Sequence, residues 1–442
     1  MASAYRANNI DVIRPLRAVD GPGRVPLRSW LDSTTACAPR TRVNSEDARC
    51  SCCTALSSTT RGEPPTPYRR SSASPPTAVR SRSTRLGAHP LSPSEVDGEK
   101  LDAVIAAEPW LIGEPSRKAF GDQLPYLLKV LSARHALSLQ VHPSRDQARE
   151  GYDRENAAGI AMDAPERTYR DDWPKPEILV ALDEFHTLSG FRDPRRTASL
   201  FEALGVSDEL SSVIGPLTER KGSAALAEVF LDVLSLDGER AKLSELVCAA
   251  AMRHKDDEGE LGDFARTVLE LDEVFPADPG ILAALLMNRV VLQPGEAVFV
   301  PAGHMHAHLR GTGIEVMANS DNVIRGGLTN KHVDVGELVK VVDFSSGEPE
   351  VTRPEAVAPG VDRYPTPCPE FDVWRITGAG DGVPVPGEGS ARELLVVSGD
   401  AELVAGEDRL SLPRGAAALL APDDVVALRG DAVAFVAASG LR

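Results

Sequence analysis

Gly295-Glu-Ala-Val-Phe-Val-Pro-Ala-Gly-His-Met-His-Ala-His308 is the stretch whose reading decides the fold. Ala297–Val300 has the apolar character of a short strand, Pro301-Ala-Gly303 makes a tight turn, and a second strand follows. Residues two apart in a strand share a face, so His304, His306 and His308 are expected to point together. Three imidazoles on one face suit a metal ion better than a packed core. Spacing alone does not choose among them.

Outward from this stretch the texture is mainly β. Asn288–Leu292 precedes the Pro294-Gly295 turn as a strand. Leu124–Val130, Leu137–His142 and Ile178–Leu182 read as further strands, and Leu101–Glu108 as a short helix stopped by Pro109. From Pro194 to about Met287 the apolar spacing becomes helical, over Thr197–Leu204, Ala225–Leu234, Lys242–Met252 and Phe264–Leu271. Short strands return over 391–439, at Leu394–Val397, Ala401–Val404, Leu410–Leu412, Ala417–Leu420, Val425–Leu428 and Ala434–Ala437. Regular short strands with turns between them predict β-sandwiches of jelly-roll type, interrupted by a helical insertion.

Three other constellations carry chemistry. Gln140-Val-His142 puts an amide and an imidazole on one side of a strand. Lys175-Pro-Glu177 places a carboxylate at the mouth of an apolar strand, where it needs a cation or a metal beside it. Lys175 is either that ion-pair partner or a contact for an anionic substrate. Ile314–Leu328 ends a strand in the polar cluster Asn319, Ser320, Asp321 and Asn322, then presents Arg325 before two glycines. Arg325 is a surface charge or a fixed donor for phosphate or developing negative charge.

The 442-residue chain has 42% hydrophobic and 26% charged residues and a net charge of −17. The charge is uneven. Residues 1–90 carry 14 Arg, no Lys and 6 acidic residues, so the remainder is strongly acidic. That argues against nucleic acid as a partner. No apolar run is long enough for a membrane span and no signal peptide is evident, so a cytoplasmic location is expected. Cys37, Cys50, Cys52 and Cys53 fit no zinc-finger spacing, and Cys248 and Cys368 stand alone, so no disulfide framework is expected.

In their order these pieces resemble the type I mannose-6-phosphate isomerases (phosphomannose isomerases), zinc enzymes of cupin fold. The matching stretches are Leu124–Leu131, Leu137-Ser-Leu-Gln-Val-His-Pro143, Lys175-Pro-Glu177, Leu188-Ser-Gly-Phe-Arg192, Val300-Pro-Ala-Gly303 with His306-Ala307, Glu315–Arg325, and Gly327-Leu-Thr329 with Lys331. The resemblance implies one zinc ion per chain, held by Gln140, His142, Glu177 and His306. It implies catalytic roles for Arg325 and Lys175 and substrate contacts for Ser138 and Asp321. The substrate would be a small phosphorylated sugar and the protein a monomer. The implied organisation is a catalytic cupin over 86–193 and 281–345, a helical domain over 194–280, and a smaller cupin-like domain over 346–442.

The chain departs from the family in four places. Pro174 stands where members carry a His before Lys-Pro-Glu, His308 replaces a common Tyr, and Asn330 replaces a Pro. Most of all, residues 1–85 read as a disordered or aberrant Arg/Ser/Pro-rich region. Asn8–Pro15 resembles the start of the family's first strand and Gly87-Ala-His-Pro90 the end of its N-terminal motif, with neither expected motif between them. A compensated frameshift over roughly residues 16–85 accounts for this composition; a shifted-frame translation that restores no aromatic-Gly-Ser motif would refute it. Two rival readings follow from the same residues: a non-catalytic metal- or sugar-binding cupin (or an enzyme impaired by its N-terminus), and an Fe(II) oxygenase with a two-His-one-carboxylate triad.

Overall fold

Thirteen consecutive residues, His306–Ala318, form the strand on which the fold is built. In this computed structural model its first part pairs with Phe185–Phe191, and its first residue also stands opposite Gln140. Its second part pairs with Tyr126–Ala133 on one edge and Glu177–Ala181 on the other. The change of partners comes just after a register shift between His308 and Arg310. Gly311 there has φ +124, and a Cβ would lie 2.6 Å from the Phe185 ring, so only glycine lets the two chains pass.

Around this strand a ten-stranded sheet bends into a nearly closed barrel. A second sheet has seven strands, six of them from Glu355–Ala358 to Ala432–Ala438, with Ile13–Leu16 added in parallel along Ala417–Leu420. A four-stranded sheet of short strands, Val383–Pro384, Ala427–Arg429, Ala401–Ala405 and Asp408–Leu412, completes the C-terminal part. Tyr126, Leu128, Ile178, Val180, Ile314 and Val316 from the first sheet share one apolar core with Val373, Leu395, Leu419 and Phe435 from the second and with Phe371 just before it. Each large side chain buried there contributes about 2 kcal/mol.

The helical part lies where the period changes. Pro194–Leu204 starts on an Asp193 cap that accepts from the Arg196 N–H, has Pro194 at its first position, and stops at left-handed Gly205. Its buried residues Thr197, Leu200, Phe201 and Leu204 follow the helical spacing. Ser223–Leu234, Leu243–His254 and Gly259–Val274 bury their apolar faces in the same cluster, with Phe201 and Phe264 edge to face.

The described residues are 13–16, 82–89, 92–96, 99–237, 240–378 and 380–441. The sequence expectation for 1–85 therefore lies outside the described residues, apart from the backbones of Ile13–Leu16 and Arg82–Arg85. Among the described residues no helix is long and apolar enough to cross a membrane. One expected element is shorter than its sequence pattern: of Leu137–His142 only Gln140–Val141 joins a ladder. The preceding residues are extended but bond to alternating neighbours, Leu137 N–H to the His308 carbonyl and Leu139 N–H to that of Gly327.

Candidate metal centre

Three segments of the chain bring His142, Glu177 and His306 to one place, with Gln140 opposite His306. Glu177 opens a strand that is buried throughout, opposite Val300 and Met317. The Pro301–Gly303 turn follows Val300 and is clamped to the neighbouring segment by a Gly303 N–H bond of 2.9 Å to the His142 carbonyl. Gly303 has φ +78, which the turn requires. The chain then enters the long strand at His306, directly opposite Gln140. Gln140 in turn stands opposite Arg325. His306, Gln140 and Arg325 therefore form a row across three strands, and opposed side chains share a face.

Inside this frame the Nε2 atoms of His142 and His306 each lie 3.4 Å from a different oxygen of Glu177. One ligating atom from each residue falls within 4.8 Å of the others, and all three side chains are buried. His142 Nδ1–H donates to the Asn322 carbonyl at 2.8 Å, and His306 Nδ1–H to the His304 carbonyl at 3.3 Å. These bonds fix the tautomers that leave both Nε2 lone pairs directed at Glu177. Among the described residues, His142 Nε2 is buried without a hydrogen-bond partner. An orphaned imidazole nitrogen facing a carboxylate and a second imidazole fits a divalent ion, and zinc suits this N/O donor set.

Electrostatics agree. Burial, reinforced by the Lys175 charge, pushes His142 down to about 4, which keeps the ring in the neutral form that ligates. For Glu177 burial opposes ionisation, but the Lys175 ammonium at 3.1 Å overcomes it and holds the carboxyl well below its usual range. Lys175 is thus the ion-pair partner of Glu177.

The other expected residues fall as follows. Asp321 pairs with His89 Nε2 at 2.9 Å, which ties Gly87–His89 to the site. Ser138 is half-buried on the extended approach to Gln140. Arg325 is half-buried, and burial together with the Arg170 charge lowers its pKa. The expectation that His304, His306 and His308 point together on one strand face is corrected at His304. His304 precedes the strand, inside the turn, and its Nε2 bonds the Ser189 hydroxyl at 2.9 Å. His308 does share the His306 face, but it packs toward Glu315, with Nε2 3.6 Å from that carboxylate.

The sequence reading missed the cluster behind the site. Lys129 Nζ donates to Glu315 at 2.7 Å, and Glu177, His308 and Glu315 approach as a second buried trio. Burial raises the Glu315 pKa, but Lys129 brings it down to about 2. That carboxylate is already neutralised by a lysine, so the second trio is an ion-paired cluster. Lys129 and Glu315 occupy facing positions on paired strands, 186 residues apart, and only the register reveals them as a pair.

A family model described as the catalytic domain of type I phosphomannose isomerase matches residues 75–194. The chain is 35% identical over 346 residues to the mannose-6-phosphate isomerase of Escherichia coli (strain K12), covering 77% of this chain and 86% of that one. It is 36% identical over 348 residues to the Salmonella typhimurium enzyme of the same name, with the same coverage. A crystal structure of mannose 6-phosphate isomerase in its holo, zinc-bound form superposes with a TM-score of 0.73 at 34% identity, covering 81% of this chain and 90% of that one.

Proposed function

The chain belongs to the type I phosphomannose isomerase family, and from that premise we propose that it interconverts mannose 6-phosphate and fructose 6-phosphate through an enediol, with one zinc ion held by Gln140, His142, Glu177 and His306. The observation that carries the reading is the orphaned His142 Nε2 facing Glu177 and His306. The proposed scaffold is a cupin-type jelly roll comprising 86–193 and 281–345.

The reaction moves a proton from C2 of the open-chain aldose to C1 and the hydroxyl proton from O2 to O1, with negative charge on the enediol oxygens between the two steps. The ion supplies Lewis-acid stabilisation of charge on oxygen. Arg325, one strand beyond Gln140, would hold that charge with fixed donors. Lys175 keeps Glu177 ionised and has further N–H donors for a substrate oxygen. Ser138 and Asp321 are the proposed substrate contacts, and Asp321 pairs with His89. The buried Lys129–Glu315 pair stiffens the wall behind Glu177 without adding net charge.

Two histidines and one carboxylate would by themselves also suit an iron(II) oxygenase. Gln140 opposite His306, and the family to which the chain belongs, favour the isomerase. The test is a coupled assay of mannose 6-phosphate isomerisation on this chain and on Gln140→Ala, with and without chelator, beside metal analysis. Zinc with chelator-sensitive turnover is expected, reduced in Gln140→Ala. Metal without turnover, or oxygen uptake, would overturn the reading.

A further inference from the structure

Resting on the zinc reading above, we infer that Asn322 couples loading of the metal to the order of the Arg170–Trp173 segment, which leads directly to Lys175. Asn322 is fully buried and its two halves serve different neighbours. Its backbone carbonyl accepts the His142 Nδ1–H at 2.8 Å, and so sets the ring whose other nitrogen faces Glu177. Its carboxamide holds the loop. Oδ1 accepts the N–H groups of Arg170 (2.8 Å) and Asp171 (3.3 Å). Nδ2 faces three acceptors, the carbonyls of Asp171 (2.8 Å) and Trp173 (2.9 Å) and the Asp171 carboxylate (3.1 Å).

A second latch reinforces the first from the loop side. The Asp171 carboxylate accepts from the Ser320 hydroxyl at 2.7 Å, from the Asp321 N–H at 2.8 Å and from the Trp173 N–H at 3.1 Å. Arg170–Trp173 belongs to no helix or strand. Its attachment to 320–322 runs through the side chains of Asn322 and Asp171, with a further bond of 3.3 Å from the Ser320 hydroxyl to the Trp173 carbonyl, and a segment held by side chains opens more easily than a ladder. Only Pro174 separates Trp173 from Lys175.

The coupling follows from geometry. A metal on His142 Nε2 fixes the imidazole, the imidazole fixes the Asn322 carbonyl through Nδ1–H, and a fixed Asn322 backbone holds its carboxamide on the loop. The linkage is reciprocal: whatever loosens the loop must weaken the metal by the same factor. Asn322 is accordingly a positioning residue, acting through His142 on one side and through the Arg170–Trp173 backbone on the other.

The experiment compares amide exchange of the full chain in the apo and zinc-loaded states, with zinc dissociation constants from chelator competition. The proteins are wild type, Asn322→Asp and Asp171→Asn. Asn322→Asp keeps the size and the Oδ1 acceptor but cannot donate to the two loop carbonyls. In wild type, zinc is expected to slow exchange at Arg170, Asp171 and Trp173 by about tenfold or more. In Asn322→Asp that slowing should vanish and the zinc dissociation constant should rise about tenfold, the usual scale for an orienting partner of a ligand. Asp171→Asn should weaken zinc severalfold, although Asp171 touches none of the four proposed ligands; a merely structural role would not do this. Should Asn322→Asp fail to fold, Asp171→Asn carries the test alone. Zinc-independent exchange at these amides in wild type, or zinc binding by Asp171→Asn within twofold of wild type, overturns the coupling. Zinc-loaded wild type without turnover would instead defeat the isomerase reading and leave the exchange result standing.

Discussion

Glu177 and Glu393 are both buried carboxylates on central strands, and they have opposite fates. Glu177 has Lys175 and two imidazoles around it and stays ionised. Glu393 lies opposite Leu419 and Ala437, in the core between the two large sheets, and neither of its oxygens has a hydrogen-bond partner. Burial alone pushes it up to about 8. The same side chain in the same kind of strand is an ionised, partnered carboxylate in one region and a neutral, unsatisfied acid in the other. Desolvation is common to both, so the difference lies in the partners: Lys175 two residues away and the imidazoles of His142 and His306 from distant parts of the chain.

The comparison breaks most visibly at Glu177. Glu177→Gln removes the charge that the two imidazoles and Lys175 surround. Zinc content should fall to background and turnover by about a thousandfold or more. Stoichiometric zinc by metal analysis with activity within tenfold of wild type would show that Glu177 is not the anchor.

Glu393 sharpens the other side. Glu393→Leu should stabilise the protein by about 1–3 kcal/mol, the cost of burying an unsatisfied polar group, read as a raised denaturation midpoint. The pH dependence has a definite sign. The folded pKa of about 8 lies above the ordinary 4.5, so the folded state binds the proton more tightly. The contribution is fully present below about 4.5 and is lost as pH rises toward 8. Denaturant midpoints at pH 5 and pH 8.5 should differ more in wild type than in Glu393→Leu; equal differences would mean that Glu393 is not the titrating group.

Smaller effects are expected where partners are present but exposed. His304→Ala should leave zinc content stoichiometric, because the His306 Nδ1–H bond goes to the backbone of residue 304. Loss of zinc in that variant would add His304 to the proposed ligands. Arg196 bonds Glu260 and Glu348 at the surface, and Arg196→Ala should cost less than about 1 kcal/mol in thermal unfolding.

Much of the architecture was legible in local pattern. Ala297–Val300 and Ala417–Leu420 form with the bounds their apolar runs predict, and the cap, proline and glycine around Pro194–Leu204 mark that helix. These signals survive because the periodicity and the terminating residues are adjacent in sequence. What was not legible depends on register and on turn geometry. Period two placed His304 beside His306, but the strand begins only at His306. Lys129 and Glu315 meet through the pairing of two strands, and His89 meets Asp321 from the far end of the chain. Asn322 was visible as part of a polar cluster, while its hold on His142 runs through a backbone carbonyl, which no side-chain pattern encodes.

The long strand His306–Ala318 has a consequence for biogenesis. Tyr126–Ala133 and Glu177–Ala181 are synthesised well over a hundred residues before the strand that both must pair with. Until that strand leaves the ribosome, both early segments present open, apolar edges that invite intermolecular pairing. Nascent chains stalled before residue 306 should therefore depend on chaperones, and release should coincide with emergence of the sequence that also carries His306.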